Sequence, residues 1–331
     1  IKSIIGSIRH VRKNFSMHSS ANNHLIIEAY ITSIIGHYIN TIYKQDWFEY
    51  GYNQLKKHLK NQFFEDGVNK EQALHYQAFV TDAILQYNSF LKKINKQPIY
   101  EDLIEKSLDF IHDIQADENY SDFGDSDDGV IIKFTLSKNN YYKYVLNLGE
   151  AYYNKKFTKV SDSFNEVYFF VGDYKVSCLD EKPKSKVYND GGYCIINENK
   201  TFLLFDVGNL GFGSLATHGH ADALSIIYKY NNVPFFVDSG TYIYNGEKDK
   251  RNYYRGTQAH NTLIYKDMNQ SEIKGPGLWG RKANASLNEY RINEEYLQFI
   301  GEHDGYSPHI HKREIKYYRA NEEVEITAYF D

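Results

Sequence analysis

Residues 224–237 have the sequence LSIIYKYNNVPFFV, and this stretch indicates that the second half of the chain is built from β-strands. Two short runs rich in β-branched and aromatic residues flank the dipeptide Asn231-Asn232. Such runs are typical of strands, and asparagine tolerates the positive φ angles of a two-residue hairpin turn. We therefore predict strands over 224–230 and 233–237, joined by a tight turn.

Strand patterns of the same kind extend through the rest of the second half. They cover residues 169–176, 192–196 and 202–207. Each run has the length and composition of a strand. Together with the hairpin they predict an antiparallel β-sandwich.

The first half of the chain instead repeats apolar residues at helical spacing. The pattern covers residues 25–34, 55–63, 73–90 and 100–114, and helical character resumes after a polar loop at 122–129 and continues to about residue 164. Short turns such as Lys96-Gln97-Pro98 separate the segments, which predicts successive antiparallel helices. A chain of 331 residues is longer than one core usually serves. We predict a helical domain over 1–165 and a β-domain over 166–331.

The composition argues against two classes of protein. The net charge is −5, whereas a nucleic-acid-binding protein usually has an excess of basic residues. No stretch reaches the ~18 consecutive apolar residues of a membrane span. Aromatic residues make up 16%, which suits a carbohydrate-binding cleft. An AT-rich genome explains the same count, so the count decides nothing. The pattern begins in mid-helix and stops inside the strand-like run 324–330, so we expect a longer natural protein.

The most informative motif is THGHADALS at residues 217–225. His218 and His220 stand two residues apart on an extended segment, so their side chains point to the same side. Asp238 follows in VDSG and His260 in AHNT. Two histidines and an aspartate from separate segments of a β-domain can converge as three ligands of a zinc ion. The fourth tetrahedral position is then left for water or another residue. The alternative is that these are ordinary polar residues near turns without a metal. That alternative would explain a single histidine better than three histidines and an aspartate.

Polar residues also gather in the helical half. The run Asn22-Asn23-His24 precedes a helix, and an N-cap explains one of these residues but not all three. Glu71 and Gln72 are expected in the first turn of a helix, where such side chains interact favourably with the helix dipole. Tyr76 follows on that helix, and on local pattern alone a packing role explains it best.

Two charged segments have competing interpretations. The acidic run 125–129 lacks the spacing and the distal glutamate of an EF-hand, so a solvated turn is favoured over a calcium site. The cations just before His260 are either a solvated face or a local positive potential for an anionic substrate. These cations are Lys248, Lys250, Arg251 and Arg255, and they flank Tyr253 and Tyr254.

In order along the chain, these motifs resemble the heparinase II/III-like family of polysaccharide lyases. The matching stretches are SANNH at 20–24, EDG at 65–67, EQALHY at 71–76, GDSDDG at 124–129, HGHADALS at 218–225, VDSGTY at 237–242, HNT at 260–262, and HDGY at 303–306 with His311. The resemblance implies an incomplete α/α toroid followed by an antiparallel β-sandwich, here truncated at both ends. It also implies a bacterial enzyme that is periplasmic or secreted.

The resemblance assigns roles to individual residues. Asn23 and His24 match the position that binds a uronate carboxylate, Tyr76 the catalytic tyrosine and His218 the catalytic histidine. A structural zinc is implied on His220, Asp238 and His260. The expected substrate contacts are Asn22, Gln72, Tyr254 and Arg255.

These residue types suit β-elimination from a uronate-containing acidic polysaccharide or oligosaccharide. Hydrogen-bond donors such as Asn23 and His24 stabilise the enediolate that forms when the C5 proton leaves. Tyr76 can remove that proton and protonate the departing O4, and His218 can act as the base or assist.

Three alternatives remain open. A glycoside hydrolase would use paired carboxylates, for which Glu65, Asp66 or Asp222 could serve. A non-catalytic glycan-binding protein would hold the same ligand without cutting it. Water bound to the metal could also do the chemistry directly.

Overall fold

The computed structural model describes residues 2–114, 122–132, 141–155, 157, 165–174 and 183–331. The chain divides into two compact units, each assembled from separate stretches. The first comprises residues 1–67, 76–109 and 129–181, and the second comprises 68–75, 110–128 and 182–331. The sequence predicted one division, between residues 165 and 166, and that domain boundary stays a prediction.

Seven helices are described before the first strand, as the sequence pattern predicts for this half. They are α1 (Lys2–Lys13), α2 (Asn23–Tyr43), α3 (Trp47–His58), α4 (Leu74–Lys93), α5 (Glu101–Ile114), α6 (Tyr141–Tyr153) and α7 (Asn165–Val171). Short 3₁₀ turns lie at His18–Ser20 and Leu59–Gln62. Helix α3 therefore ends earlier than the apolar pattern over 55–63 predicts.

The strand predicted over 169–176 is wrong in its described part, because Asn165–Val171 is helical. Val167 and Phe170 are buried while Tyr168 and Phe169 are exposed, which is helical spacing. Gly172 has a φ of +83° and its N–H donates to the Tyr168 carbonyl, so a glycine ends the helix. A short apolar run does not by itself distinguish a strand from a buried helix turn. Residues 175–182 lie outside the described ones.

The β-strands form two main antiparallel sheets in the second unit. The first sheet has the order β1 to β5: Lys186–Tyr188, Tyr193–Glu198, Thr201–Asp206, Ile226–Tyr230 and Val233–Phe236. A two-stranded ribbon, β6 (Ile273–Gly275) with β7 (Leu278–Trp279), follows helix α8 (Lys248–Tyr254). The second sheet has the order β11-β10-β9-β8, from Ala285–Ile292, Tyr296–Tyr306, His309–Tyr318 and Glu323–Phe330.

The predicted hairpin is confirmed. Strand β4 pairs antiparallel with β5, and Tyr230 stands opposite Val233. Asn231 and Asn232 have φ values of +50° and +63°. Positive φ at both central residues is what the favoured two-residue hairpin turn requires, and asparagine accepts it at low cost.

Apolar side chains from both sheets share one core. Leu203, Phe205 and Ile226 of the first sheet and Leu297, Phe299 and Ile315 of the second are all buried in the same cluster. Such a face-to-face core is the sandwich arrangement predicted from the strand patterns. His218 and the predicted metal ligands His220, Asp238 and His260 lie outside the strands, in the connections 207–225 and 237–272.

The helices of the first unit bury a carboxyl group. Asp82 is fully buried and accepts hydrogen bonds from the Gln86 amide at 2.8 Å and from the hydroxyls of Tyr141 and Tyr144 at 2.9 and 3.2 Å. Burial raises the pKa of Asp82 to about 7, although these hydrogen bonds oppose the rise.

This carboxyl group should make stability depend on pH. Between about pH 4 and 7 the folded protein keeps a proton that the unfolded chain has lost, so stability falls as pH rises through this window. The slope is at most ~1.4 kcal/mol per pH unit. Asp82→Asn should remove it. Urea denaturation near pH 5 and near pH 8 measures the difference in free energy of unfolding between the wild type and Asp82→Asn. A difference of the same size at both pH values would contradict the prediction.

Candidate functional site

The three residues predicted to bind metal lie together in the second unit. Potential ligand atoms of His220, Asp238 and His260 all lie within 4.8 Å of one another. The His260 Nδ1 contacts the Asp238 Oδ2 at 2.6 Å, and the two imidazole centroids are 5.2 Å apart. The side chains are buried, with 0% of His220 and of His260 and 4% of Asp238 exposed. Two connections, 207–225 and 237–272, bring these ligands together.

The donor set fits a borderline cation such as zinc. His220 Nδ1 and His260 Nε2 are buried and have no hydrogen-bond partner within the described residues. A buried nitrogen left without a partner costs free energy, and a metal ion would satisfy both nitrogens. Burial opposes charge on both partners of the Asp238–His260 pair, but their mutual attraction lowers the pKa of Asp238 and raises that of His260.

A single carboxylate orients both histidines of the motif. Asp125 Oδ2 lies 3.3 Å from His218 Nδ1, and Asp125 Oδ1 lies 3.0 Å from His220 Nε2. Arg251 donates to the same two oxygens at 2.6 and 2.5 Å. Burial alone would raise the pKa of Asp125, but hydrogen bonds from His218, His220 and Arg251 hold it well below its ordinary value. The contact between Asp125 and His220 Nε2 fixes that ring and leaves its Nδ1 available to the predicted metal ion.

His218 has polar groups on two sides. Its Nε2 lies 3.4 Å from the Glu71 Oε2, and the Tyr244 hydroxyl lies 3.2 Å from its Nδ1. His218 and Glu71 are 3% and 2% exposed. Two carboxylates and a tyrosine hydroxyl therefore fix the orientation of the imidazole, the arrangement expected of a positioned acid or base.

Several of these groups lie in surroundings that differ from those predicted by the sequence pattern. The solvated turn favoured for the acidic run is wrong at Asp125, which is fully buried. Helix α4 begins at Leu74, so Glu71 precedes the helix instead of lying in its first turn. Arg251 belongs to this buried network and not to an exposed positive face. The only sequence signal for Tyr244 was its place six residues after Asp238, a predicted metal ligand.

The predicted substrate contacts of the second unit differ in accessibility. Gln72 is 7% exposed with a φ of +54°, and its amide donates to the Gly191 carbonyl at 3.3 Å. Arg255 is fully buried and donates to the carbonyls of Pro276 and Gly275 at 2.7 and 2.5 Å. These two hydrogen bonds support the loop and use only part of the donor capacity of the guanidinium, and the substrate role of Arg255 stays a prediction. Tyr254 is half-buried.

The remaining predicted site residues belong to the first unit. Asn22 is the N-cap of α2, and its side chain accepts from the His24 N–H at 3.2 Å. Asn23 is 4% exposed, whereas His24 is exposed. Tyr76 is 5% exposed on α4, with its ring centroid 6.4 Å from that of Phe79. Capping thus explains Asn22, as anticipated, and leaves Asn23 and His24 for another role.

A pair of half-buried acids near the predicted metal ligands bears on the hydrolase alternative. Burial raises the pKa of Asp206 and of Asp222, and their mutual charge adds to the rise for Asp206. Together with Asp238 they line a cavity of about 20 Å³. That volume holds about one water molecule and no sugar ring. These paired carboxylates therefore do not form a site where a glycosidic bond could be hydrolysed.

Comparison with known proteins identifies similar chains. The family descriptions "Heparinase II/III N-terminus" and "Heparinase II/III-like, C-terminal" match residues 2–155 and 180–328. A heparin-sulfate lyase of Bacteroides thetaiotaomicron is 23% identical over 82% of this chain and 39% of its own length. One of Bacteroides stercoris is 22% identical over 84% of this chain and 41% of its own.

Solved structures share the fold. A heparinase III aligns with a TM-score of 0.67 and 19% identity over 93% of this chain and 45% of that one. A heparan sulfate lyase of Pedobacter heparinus aligns with a TM-score of 0.66 and 18% identity over 94% and 46%. The chain thus spans about two fifths of the length of the curated relatives. Within the described residues, no helix combines the length and apolar character needed to cross a bilayer.

The Asp125–Arg251 pair yields a stability prediction. Arg251→Met leaves a carboxylate buried without its counter-charge, which should lower the free energy of unfolding by ~3–5 kcal/mol. The matched control is Lys250→Met, since Lys250 is exposed and pairs with Glu247 at the surface, where a pair contributes about 0–1 kcal/mol. Urea denaturation measures both variants. Equal, small losses would show that the buried pair does not stabilise the fold.

Proposed function

Because the chain belongs to the heparinase II/III-like family, we propose that it is a polysaccharide lyase. It cleaves a uronate-containing anionic glycan by β-elimination and leaves an unsaturated uronate at the new end. The observation that carries the proposal is the buried His218, held between Glu71, Asp125 and Tyr244. Since the named relatives are heparin-sulfate lyases, heparan sulfate is the first substrate to test.

The proposal extends to the architecture of the helical half and to its location. The helices α1–α7 are the part of an incomplete α/α toroid that this chain contains, and the fold similarity to a heparinase III supports this. A polymeric acidic glycan is met outside the cytoplasm, so we place the enzyme in the periplasm or among the secreted proteins of a bacterium.

The proposed chemistry divides the work between four side chains. The proton at C5 of a uronate is weakly acidic, so the developing charge on the carboxylate needs hydrogen-bond donors, which Asn23 and His24 supply. Tyr76 removes the proton and returns one to the departing O4 oxygen. His218 acts as the base for the opposite C5 epimer or assists Tyr76, and its orientation by Asp125 suits either task.

We also propose a structural zinc ion on His220, Asp238 and His260. The two buried imidazole nitrogens without a partner support it. When bound, the ion ties together the two connections that carry its ligands. Because His220 stands two residues from His218 and shares Asp125 with it, the same cross-link keeps the imidazole of His218 in place.

The zinc proposal predicts about one metal ion per chain. His260→Ala should lower both metal content and the melting temperature, because the binding free energy of a structural metal contributes to folding. His10→Ala, at an exposed position on α1, is the control and should change neither. Elemental analysis and thermal denaturation provide the measurements. Protein purified without chelator that contains no transition metal would contradict the proposal.

The lyase proposal depends most on Tyr76. Tyr76→Phe keeps the ring and removes the hydroxyl, so turnover should fall by the ~10²–10⁴ typical of a lost general acid–base group, with little change in substrate affinity. Tyr30→Phe is the matched control, because Tyr30 is another buried tyrosine of the first unit and its hydroxyl donates to the Gln86 side chain at 2.9 Å. Ultraviolet absorbance of the unsaturated product measures turnover.

The assay also separates the alternatives. New reducing ends without ultraviolet absorbance would identify a hydrolase, since hydrolysis creates no double bond. Binding of the glycan with neither product would identify a non-catalytic binding protein. A well-folded Tyr76→Phe enzyme that retains most of its lyase activity would move the catalytic role to another group, with His218 the first to test.

A further inference from the structure

A stacked pair of tyrosines, one exposed and one half-buried, lies on the connection between two of the proposed metal ligands, Asp238 and His260. The rings of Tyr242 and Tyr254 have centroids 4.6 Å apart and an interplanar angle of 17°. Tyr242 is 66% exposed, more than any other large hydrophobic side chain described. An aromatic ring held flat by a stacked neighbour and open to solvent loses little conformational freedom when a ligand packs on it.

The backbone holds Tyr242 outward in a strained turn. Its φ is +53°, and the Ile243 N–H donates to the Thr241 carbonyl at 2.6 Å, which closes a three-residue turn centred on Tyr242. A γ-turn with positive φ at its centre is the rarer and more strained form. For a bulky residue this conformation is uncommon, and such strain is concentrated at ligand-binding sites.

Residues on both sides of Tyr242 connect the turn to the His218 site. Thr241 Oγ1 accepts from the Ser126 N–H at 2.7 Å, next to Asp125 in the chain. The Tyr244 hydroxyl lies 3.2 Å from His218 Nδ1. The turn therefore presents the Tyr242 ring from a backbone that is fixed to the catalytic histidine and to the carboxylate that orients it.

A cation lies beside the stacked pair. The Lys250 ammonium is 5.8 Å from the centroid of the Tyr242 ring. It also pairs with Glu247 at 3.0 Å, with both side chains about half exposed. A surface pair of this kind is weak, so an anionic group on a ligand can compete with Glu247 for the ammonium.

We propose that Tyr242 and Tyr254 form a stacking platform for one pyranose ring of an anionic glycan, with Lys250 beside it for a sulfate or carboxylate group. An amphipathic ring suits the apolar face of a sugar, and the ammonium supplies the charge. The platform rests on the proposed function and extends it, because it gives the glycan a binding subsite beside the His218 site. In this platform Tyr254 is the inner ring of the stack and supports Tyr242, which contacts the sugar.

The test replaces Tyr242 with glycine. Tyr242→Gly removes the ring and suits the positive φ, so the turn should be retained without strain. We expect KM for heparan sulfate oligosaccharides to rise about three- to tenfold, the scale of one aromatic contact, with kcat unchanged. Tyr242→Phe should keep the wild-type KM. Tyr290→Ala, at another exposed tyrosine, on the edge strand β8, should also keep it.

Binding measurements separate this inference from the lyase proposal. Dissociation constants for heparan sulfate and alginate oligosaccharides are measured with and without Tyr242→Gly, independently of turnover. Weaker binding by the variant supports the platform even where the wild type produces no unsaturated product, which would refute only the lyase proposal. Cleavage by the wild type with unchanged KM and unchanged binding in Tyr242→Gly would overturn the platform and leave the lyase proposal standing.

Discussion

The candidate site depends on the ion pair between Asp125 and Arg251. A carboxylate that is fully buried is costly unless opposite charge and hydrogen bonds surround it. Arg251 supplies two hydrogen bonds to Asp125, and the remaining capacity of the two oxygens goes to His218 and His220, one to each. Because one rigid group contacts both rings, a shift of Asp125 would move the proposed catalytic histidine and the proposed metal ligand together.

The backbone between the two histidines reinforces this arrangement. A Cβ atom on Gly219 would lie 1.6 Å from the Leu210 carbonyl oxygen, so only glycine allows the segment to pack so closely. Close packing of the backbone leaves the two flanking side chains little freedom. The motif HGH thus combines two imidazoles that contact one carboxylate with a glycine that fixes the turn segment carrying them.

Sequence patterns predicted the features that depend on local conformation. The hairpin at Asn231-Asn232 follows from the preferences of single residues and is present, and the N-cap expected for one residue of the run 22–24 lies at Asn22. The helix at 165–171 was missed because its apolar run is too short to define a period. The burial of Asp125 was missed for another reason: its partners lie 93 to 126 residues further along the chain, and no local pattern contains them.

The same long-range contacts assemble the second unit from separate stretches of the sequence. Its β-sheets come from residues beyond 182, yet Glu71 and Asp125 belong to it through the stretches 68–75 and 110–128. A fragment that began at residue 166 would keep Arg251 and both histidines but lose Asp125, so a guanidinium would be buried without its carboxylate and His218 would lose both flanking acids. The periodicity of a chain identifies its secondary structure, whereas the boundaries of this unit follow from where its buried charges find their partners.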